Sequence, residues 1–288
     1  MFEAAELGHR VSKAEFDALA PSLRVQMIDM QQTLRREADF PVIVLFAGVD
    51  GAGKSESLHL LNEWMDPRWI VTRAYDKPSD EEEERPMFWR YWRDLPPKGQ
   101  FGLFLSAWYS RPLLDRVYRR TGSSRFDIHL AHIRRFERTL AAEGALILKF
   151  WMHLDKAAQK KRLKKLEKDP LHHWKITKRD WDHYKRYDRF VEASEQLIAR
   201  TSTAEAPWTI VEGSDSRYRS LTVLTAIRDA VRAHQKARAT FVWIRNERDK
   251  LRLQGFISRF TPPLYLLHFL MRNQQPGLDQ LVIQAGLH

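Results

Sequence analysis

The chain has 288 residues, 43% of them hydrophobic, and a formal net charge of +11 from 48 Lys and Arg against 37 Asp and Glu. That length accommodates one large α/β domain with an insertion, or two modest domains, with a sizeable core. Cysteine is absent, which excludes a disulfide framework, a thiolate metal site and a cysteine nucleophile.

Residues 1–20 read as a polar arm. The acidic opening Met1–Glu6 lacks the apolar stretch of a secretory signal, so the cytoplasm is the default location. Leu23, Met27, Met30 and Leu34 recur at three and four and predict a helix over 22–37. The run 41–47, Pro-Val-Ile-Val-Leu-Phe-Ala, is short, apolar and β-branched, as a buried parallel strand should be. It leads into Gly48-Val49-Asp50-Gly51-Ala52-Gly53-Lys54-Ser55, which fits the phosphate-cradling pattern G-x-x-x-x-G-K-[ST]. A helical pattern over 56–64 follows. A chance match in a glycine-containing loop is the alternative, but strand, glycine-rich turn and helix stand in the order that aims backbone N–H groups at phosphate oxygens.

A second strand is expected at 69–72. A capping box at Ser79 and Glu82 opens a helix that continues through 88–92 and stops at Pro96-Pro97-Lys98-Gly99. A third strand follows at 101–105, a helix at about 126–142 and a strand at 145–151. A basic helix starts near Lys156 and breaks at Asp169-Pro170, and another runs from about 178 to 199. The last strand is 208–211 and the last helix about 217–236. Strands alternating with helices imply a parallel sheet covered on both faces. The two helices within about 156–199 are expected to form a lid over the phosphate loop. Between Asp155 and Arg189 there are 13 Lys and Arg against six Asp and Glu, which points to a polyanion track rather than an ordinary solvated face. Residues 237–288 show no clean period and form a tail of unknown structure. Its apolar run, 264–271, is too short to span a bilayer, and no membrane association is expected. His129 and His132, and His172 and His173, lack the carboxylate spacing of a metal site.

Beyond the loop the chain carries, in order, Pro78-Ser79-x-Glu81-Glu82, Phe88-Trp89-Arg90, Leu95-Pro96, Gly99, Trp108-Tyr109, Leu148-Lys149-Phe150-Trp151, Asp169-Pro170, Trp174-Lys175 and Thr201-Ser202-Thr203-x-x-Ala206-Pro207-Trp208. In this set it resembles the polyphosphate kinase 2 family over about residues 1–236. The opening Met1–His9 is similar to the start of a two-domain member, of which this chain would be the first half. The resemblance implies an α/β fold, a P-loop NTPase-like three-layer α/β/α arrangement with a parallel sheet and a helical lid. It implies phosphoryl transfer between inorganic polyphosphate and a nucleotide, AMP or ADP, with Mg²⁺. It puts Gly48, Gly51, Ala52, Gly53, Lys54 and Ser55 on phosphate, and Asp50 and Ser55 on the metal. Arg111 and Arg116 are expected to neutralise phosphates, with surface ion pairing as the competing role; Asp50, Lys54 and Arg116 form the expected catalytic set.

The chain departs from the family pattern in four places. The metal-holding Asp at the end of strand three is Leu105, and the Arg beside it is Ser106. The lid arginine falls at Tyr184, and the family's Asn after the last strand falls at Ser214, although Asp215 is kept. Phosphoryl transfer depends on positioning and charge neutralisation, so an eroded catalytic set is expected, with weak or absent turnover by this chain alone. The alternative is a non-catalytic half that binds polyphosphate or dimerises in support of a catalytic partner domain. Expected partners are therefore polyphosphate, AMP or ADP, and either another copy or a second catalytic domain; nucleic-acid binding rests on charge alone.

Overall fold

Five strands make one parallel sheet: β1 (Val42–Gly48), β2 (Ile70–Ala74), β3 (Phe101–Leu105), β4 (Leu146–His153) and β5 (Trp208–Glu212). Their order is β2-β3-β1-β4-β5, all neighbours parallel. β1 is central, with Val42 beside both Phe101 and Leu146. The computed structural model describes residues 1–253, and side chains to residue 240.

Because successive strand residues point to opposite faces, β1 feeds two cores. Val42, Val44 and Phe46 pack with α1 (Lys13–Glu37), α2 (Lys54–Trp64) and α10 (Ser216–Leu253) through Met27, Leu34, Leu61 and Ile227. Ile43 and Leu45 pack on the other face with α5 (Ser110–Val117), α6 (Ser123–Ala142) and α9 (Tyr187–Thr201) through Leu113, Phe126, Ile133 and Leu197. The result is a three-layer α/β/α fold: the parallel sheet covered on both faces that the alternating pattern predicts, and the P-loop NTPase-like arrangement that the resemblance implies. Among the described residues, no helix is long and apolar enough to cross a membrane.

Several boundaries differ from the expectation. The supposed polar arm has a buried side: Phe2 is 4% exposed and stacks on the His153 ring at 4.4 Å. α1 begins at Lys13, capped by Ser12, and runs through Pro21, so burial of Ala20, Leu23 and Met27 outweighs the cost of an internal proline. The expected single helix after Ser79 is two short ones, α3 (Asp80–Glu84) and α4 (Trp89–Arg93). Pro86 disfavours the helical region for Arg85, which sits extended at φ −94°, ψ 162°.

The expected lid is also redivided. α7 (Lys156–Glu167) and α8 (Lys178–Lys185) are followed by a break at Arg186, and α9 then drops into the second core. Phe190, Ala193 and Leu197 on α9 are buried, so α7 and α8 form the cover while α9 reaches the loop only through its first turn, where Tyr187 and Phe190 line a small cavity with Val49 and Asp50. The last helix does not stop near 236 but extends to Leu253. The chain divides into two units, Met1–Val231 and Arg232–His288; the described part of the second is the end of α10. The apolar run 264–271 lies outside the described residues.

Two family-like motifs prove to be structural. Lys149 Nζ, fully buried, donates to Glu137 Oε2 at 2.8 Å, Tyr109 Oη at 2.9 Å and the Thr201 carbonyl at 2.8 Å. Glu137 Oε1 accepts from Trp108 Nε1 at 3.0 Å and Tyr109 Oη at 2.7 Å. Burial pushes the Lys149 ammonium below its ordinary range, and Glu137 opposes that shift.

Candidate functional site

The glycine loop leaves the sheet at the C-terminal end of β1, where ligands of open α/β sheets bind. Gly48 has φ +122°, and a Cβ there would lie 2.0 Å from the Met152 carbonyl oxygen. Only glycine lets β1 turn against β4 at this point. Val49 donates back to the Met152 carbonyl at 3.0 Å, while Val49 and Ala52 are buried. Gly51 and Gly53 take φ +81° and +92°, after which α2 begins at Lys54. The loop N–H groups and the positive end of α2 therefore share one opening, an arrangement suited to anions.

Lys54 Nζ donates to the carbonyls of Gly48 at 2.7 Å and Val49 at 2.9 Å, and lies 3.5 Å from Asp50 Oδ1. Asp50 Oδ2 is 2.7 Å from His183 Nδ1 on α8. Burial pushes the Asp50 carboxyl up, but Lys54 and the His183 hydrogen bond outweigh it and hold the group at about 2. α7 adds Gln159, whose Nε2 donates to the Asp50 carbonyl at 3.1 Å. Both lid helices thus meet the loop at Asp50. On α2, Glu56 bridges two arginines, Arg162 of α7 and Arg219 of α10.

The structure brings Gly48, Asp50, Gly51, Ala52, Gly53, Lys54 and Ser55 together in one turn, with Ser55 exposed at the start of α2. Arg111 and Arg116 make other contacts. Arg111 lies 4.0 Å from Glu83 and Arg116 4.0 Å from Glu192, the surface pairing weighed as their competing role and worth little energetically. Leu105 is half-buried against the first core, and Ser106 turns out of β3 at φ +51°. Tyr184 packs edge-on against Trp181, ring centroids 5.9 Å apart. Ser214 Oγ donates to Glu212 at 2.5 Å, and Asp215 accepts from the Tyr218 N–H at 2.8 Å in the first turn of α10.

Sequence reasoning missed Glu56, Gln159, Arg162, His183 and Arg219. In the sequence Arg162 is one of many cations in the lid, and His183 stands in a polar run with Arg179, Asp180, Asp182 and Lys185 around Trp181. Only tertiary packing separates them from their neighbours. A signal was available for Arg219, since it stands four residues after the retained Asp215, one helical turn into α10.

The polyphosphate kinase 2 family model matches residues 10–239. A polyphosphate:AMP phosphotransferase of Pseudomonas aeruginosa is 50% identical over 223 residues, covering 77% of this chain and 45% of the relative. An AMP/ADP-polyphosphate phosphotransferase of Meiothermus ruber is 31% identical, covering 72% of this chain and 78% of the relative. The solved polyphosphate kinase 2 of Arthrobacter aurescens TC1 superposes with a TM-score of 0.74 at 27% identity, covering 80% of this chain and 82% of that one. The chain spans about half the length of the Pseudomonas relative. With the loop, the sheet order and these matches in agreement, the chain belongs to the polyphosphate kinase 2 family.

Proposed function

We propose that this domain binds inorganic polyphosphate at the Gly48–Ser55 loop under the α7–α8 lid and transfers a phosphoryl group to AMP or ADP, with low turnover by this chain alone. The observation that carries the reading is the convergence of the loop lysine, an ionised Asp50 and two lid helices on one turn. In the reaction, a phosphate oxygen of the acceptor nucleotide attacks the terminal phosphorus of polyphosphate. The bridging P–O bond breaks, and the shortened chain leaves with its electron pair. The loop N–H groups and Lys54 would orient the terminal phosphates and neutralise their charge. Arg111 and Arg116 would have to leave Glu83 and Glu192 to assist.

Mg²⁺ is part of the proposal. Asp50 and Ser55 would supply two oxygen donors to it, with Asp50 exchanging its contacts with Lys54 and His183, which suits an ion usually bound through one or two protein oxygens and substrate phosphates. When bound, it would neutralise charge on the phosphate oxygens. Leu105 offers no ligand there, which supports the low-turnover part of the reading. The test is phosphotransfer by this chain with polyphosphate, Mg²⁺ and AMP or ADP, beside Lys54→Ala. Low activity that Lys54→Ala abolishes is expected. Combining Leu105→Asp, Ser106→Arg and Tyr184→Arg should raise it, with little gain from any one change, because these groups act as a unit. Polyphosphate binding without turnover in parent or triple variant would favour the non-catalytic supporting half. A parent rate of about 1–100 per second, ordinary for kinases, would refute the eroded site.

A further inference from the structure

We propose that Glu56 is a built-in anion that occupies the two arginines flanking the phosphate loop, and that polyphosphate binds in exchange for it. The inference rests on the loop being the polyphosphate site. Arg162 and Arg219 come from different elements, yet each lies against a loop glycine. A Cβ on Gly51 would be 3.2 Å from Arg162 Cγ, and one on Gly53 would be 2.2 Å from Arg219 Cζ. Arg219 is 3% exposed; one Nη donates to the Gly213 carbonyl at 3.0 Å and the other to Glu56, while its buried Nε has no partner. A buried guanidinium with an unused donor, pressed against the N-terminus of α2, is built to meet an anion.

Glu56 supplies that anion in this structure. It stands in the first turn of α2, and its two carboxylate oxygens go separately to Arg162 and Arg219. A phosphate group offers the same arginines equivalent acceptors. The partners differ in freedom: the Glu56 side chain is 38% exposed and can turn into water, whereas Arg219 cannot follow it. Exchange of one anion for another keeps the buried guanidinium paired throughout, avoiding the cost of an unpaired buried charge. Arg162 sits on α7, so the exchange also transfers the lid helix from an internal carboxylate to the ligand.

The experiment is calorimetric titration of the full chain with size-fractionated long-chain polyphosphate, comparing the parent with E56Q and K54A. The exchange predicts that E56Q binds about tenfold tighter, equivalent to about 1.4 kcal/mol, because the competing carboxylate is gone. K54A should bind more weakly than the parent. If E56Q does not fold, E56D keeps the charge but is one methylene too short to span both arginines, and a smaller tightening in the same direction is expected. Binding by the parent with no gain in folded E56Q or E56D would overturn the exchange while leaving the loop as the polyphosphate site. Binding that K54A leaves unchanged, or no binding by parent or variant, would overturn the loop reading and the exchange together.

Discussion

At the scale of single residues, the site is governed by how charges are paired. Asp50 has its carboxyl lowered from 3.8 to about 2, so the folded state binds its proton less readily than the unfolded chain does. The resulting stabilisation is fully present above the ordinary carboxylate value and is lost as pH falls through about 2. From the size of the shift it is about 2 kcal/mol. Asp50→Asn should therefore be less stable than the parent near neutrality by about that amount. Urea denaturation should show the gap closing between about pH 4 and pH 2; a gap independent of pH would mean that the Lys54 and His183 contacts contribute nothing. The buried pair of Lys149 and Glu137 makes a different prediction. Lys149→Met leaves Glu137 without its counter-ion and should cost about 3–5 kcal/mol in the same assay. Changing Glu137 to an apolar residue as well should recover only part of that loss: the desolvation cost of the pair goes, but Trp108 Nε1 and Tyr109 Oη lose their acceptor. The loop residues from Gly48 to Ser55 were readable from spacing because a phosphate cradle needs glycines and a lysine at fixed intervals. The partners of Asp50 and Glu56 were not, because His183 lies 133 positions from Asp50 and Arg219 lies 163 from Glu56.

At the scale of elements, the strands were legible because buried parallel strands are short apolar runs, and all five appear within a few residues of their expected places. The helices were less so. Pro21 did not end α1 and Pro86 did divide the helix after Ser79, a distinction decided by the apolar residues packed around each proline. The lid was misdivided because α9 shares the polar face of its neighbours, while Phe190, Ala193 and Leu197 commit it to the second core. The junction of β1 and β4 gives a sharp test of element geometry. Gly48→Ala would place a methyl group 2.0 Å from a carbonyl oxygen that belongs to a central strand, where no flexible side chain can yield. A loss of about 2 kcal/mol or more is expected from overpacking and positive φ together. Thermal melting would check it, and a variant as stable as the parent would show that the turn can relax without disturbing β4.

At the scale of the whole molecule, the charge excess acts through where it is displayed. Lys160, Lys161, Lys164, Lys165 and Lys168 are all exposed on or just after α7, on the helix whose Gln159 and Arg162 meet the loop and α2. A linear polyanion anchored at the loop can therefore run along the lid, with contacts that add by charge rather than by shape. Such contacts are screened: the Debye length falls from about 30 Å at 0.01 M salt to about 10 Å at 0.1 M. Long-chain polyphosphate should lose affinity by at least about tenfold between about 50 and 200 mM salt, as expected when several cations neutralise one polyanion. Pyrophosphate, too short to run along the lid from an anchor at the loop, should lose much less. Titration of both ligands at the two ionic strengths separates the anchor from the track. Equal salt dependence for the short and the long ligand would confine recognition to the loop and leave the lysines of α7 as an ordinary solvated face.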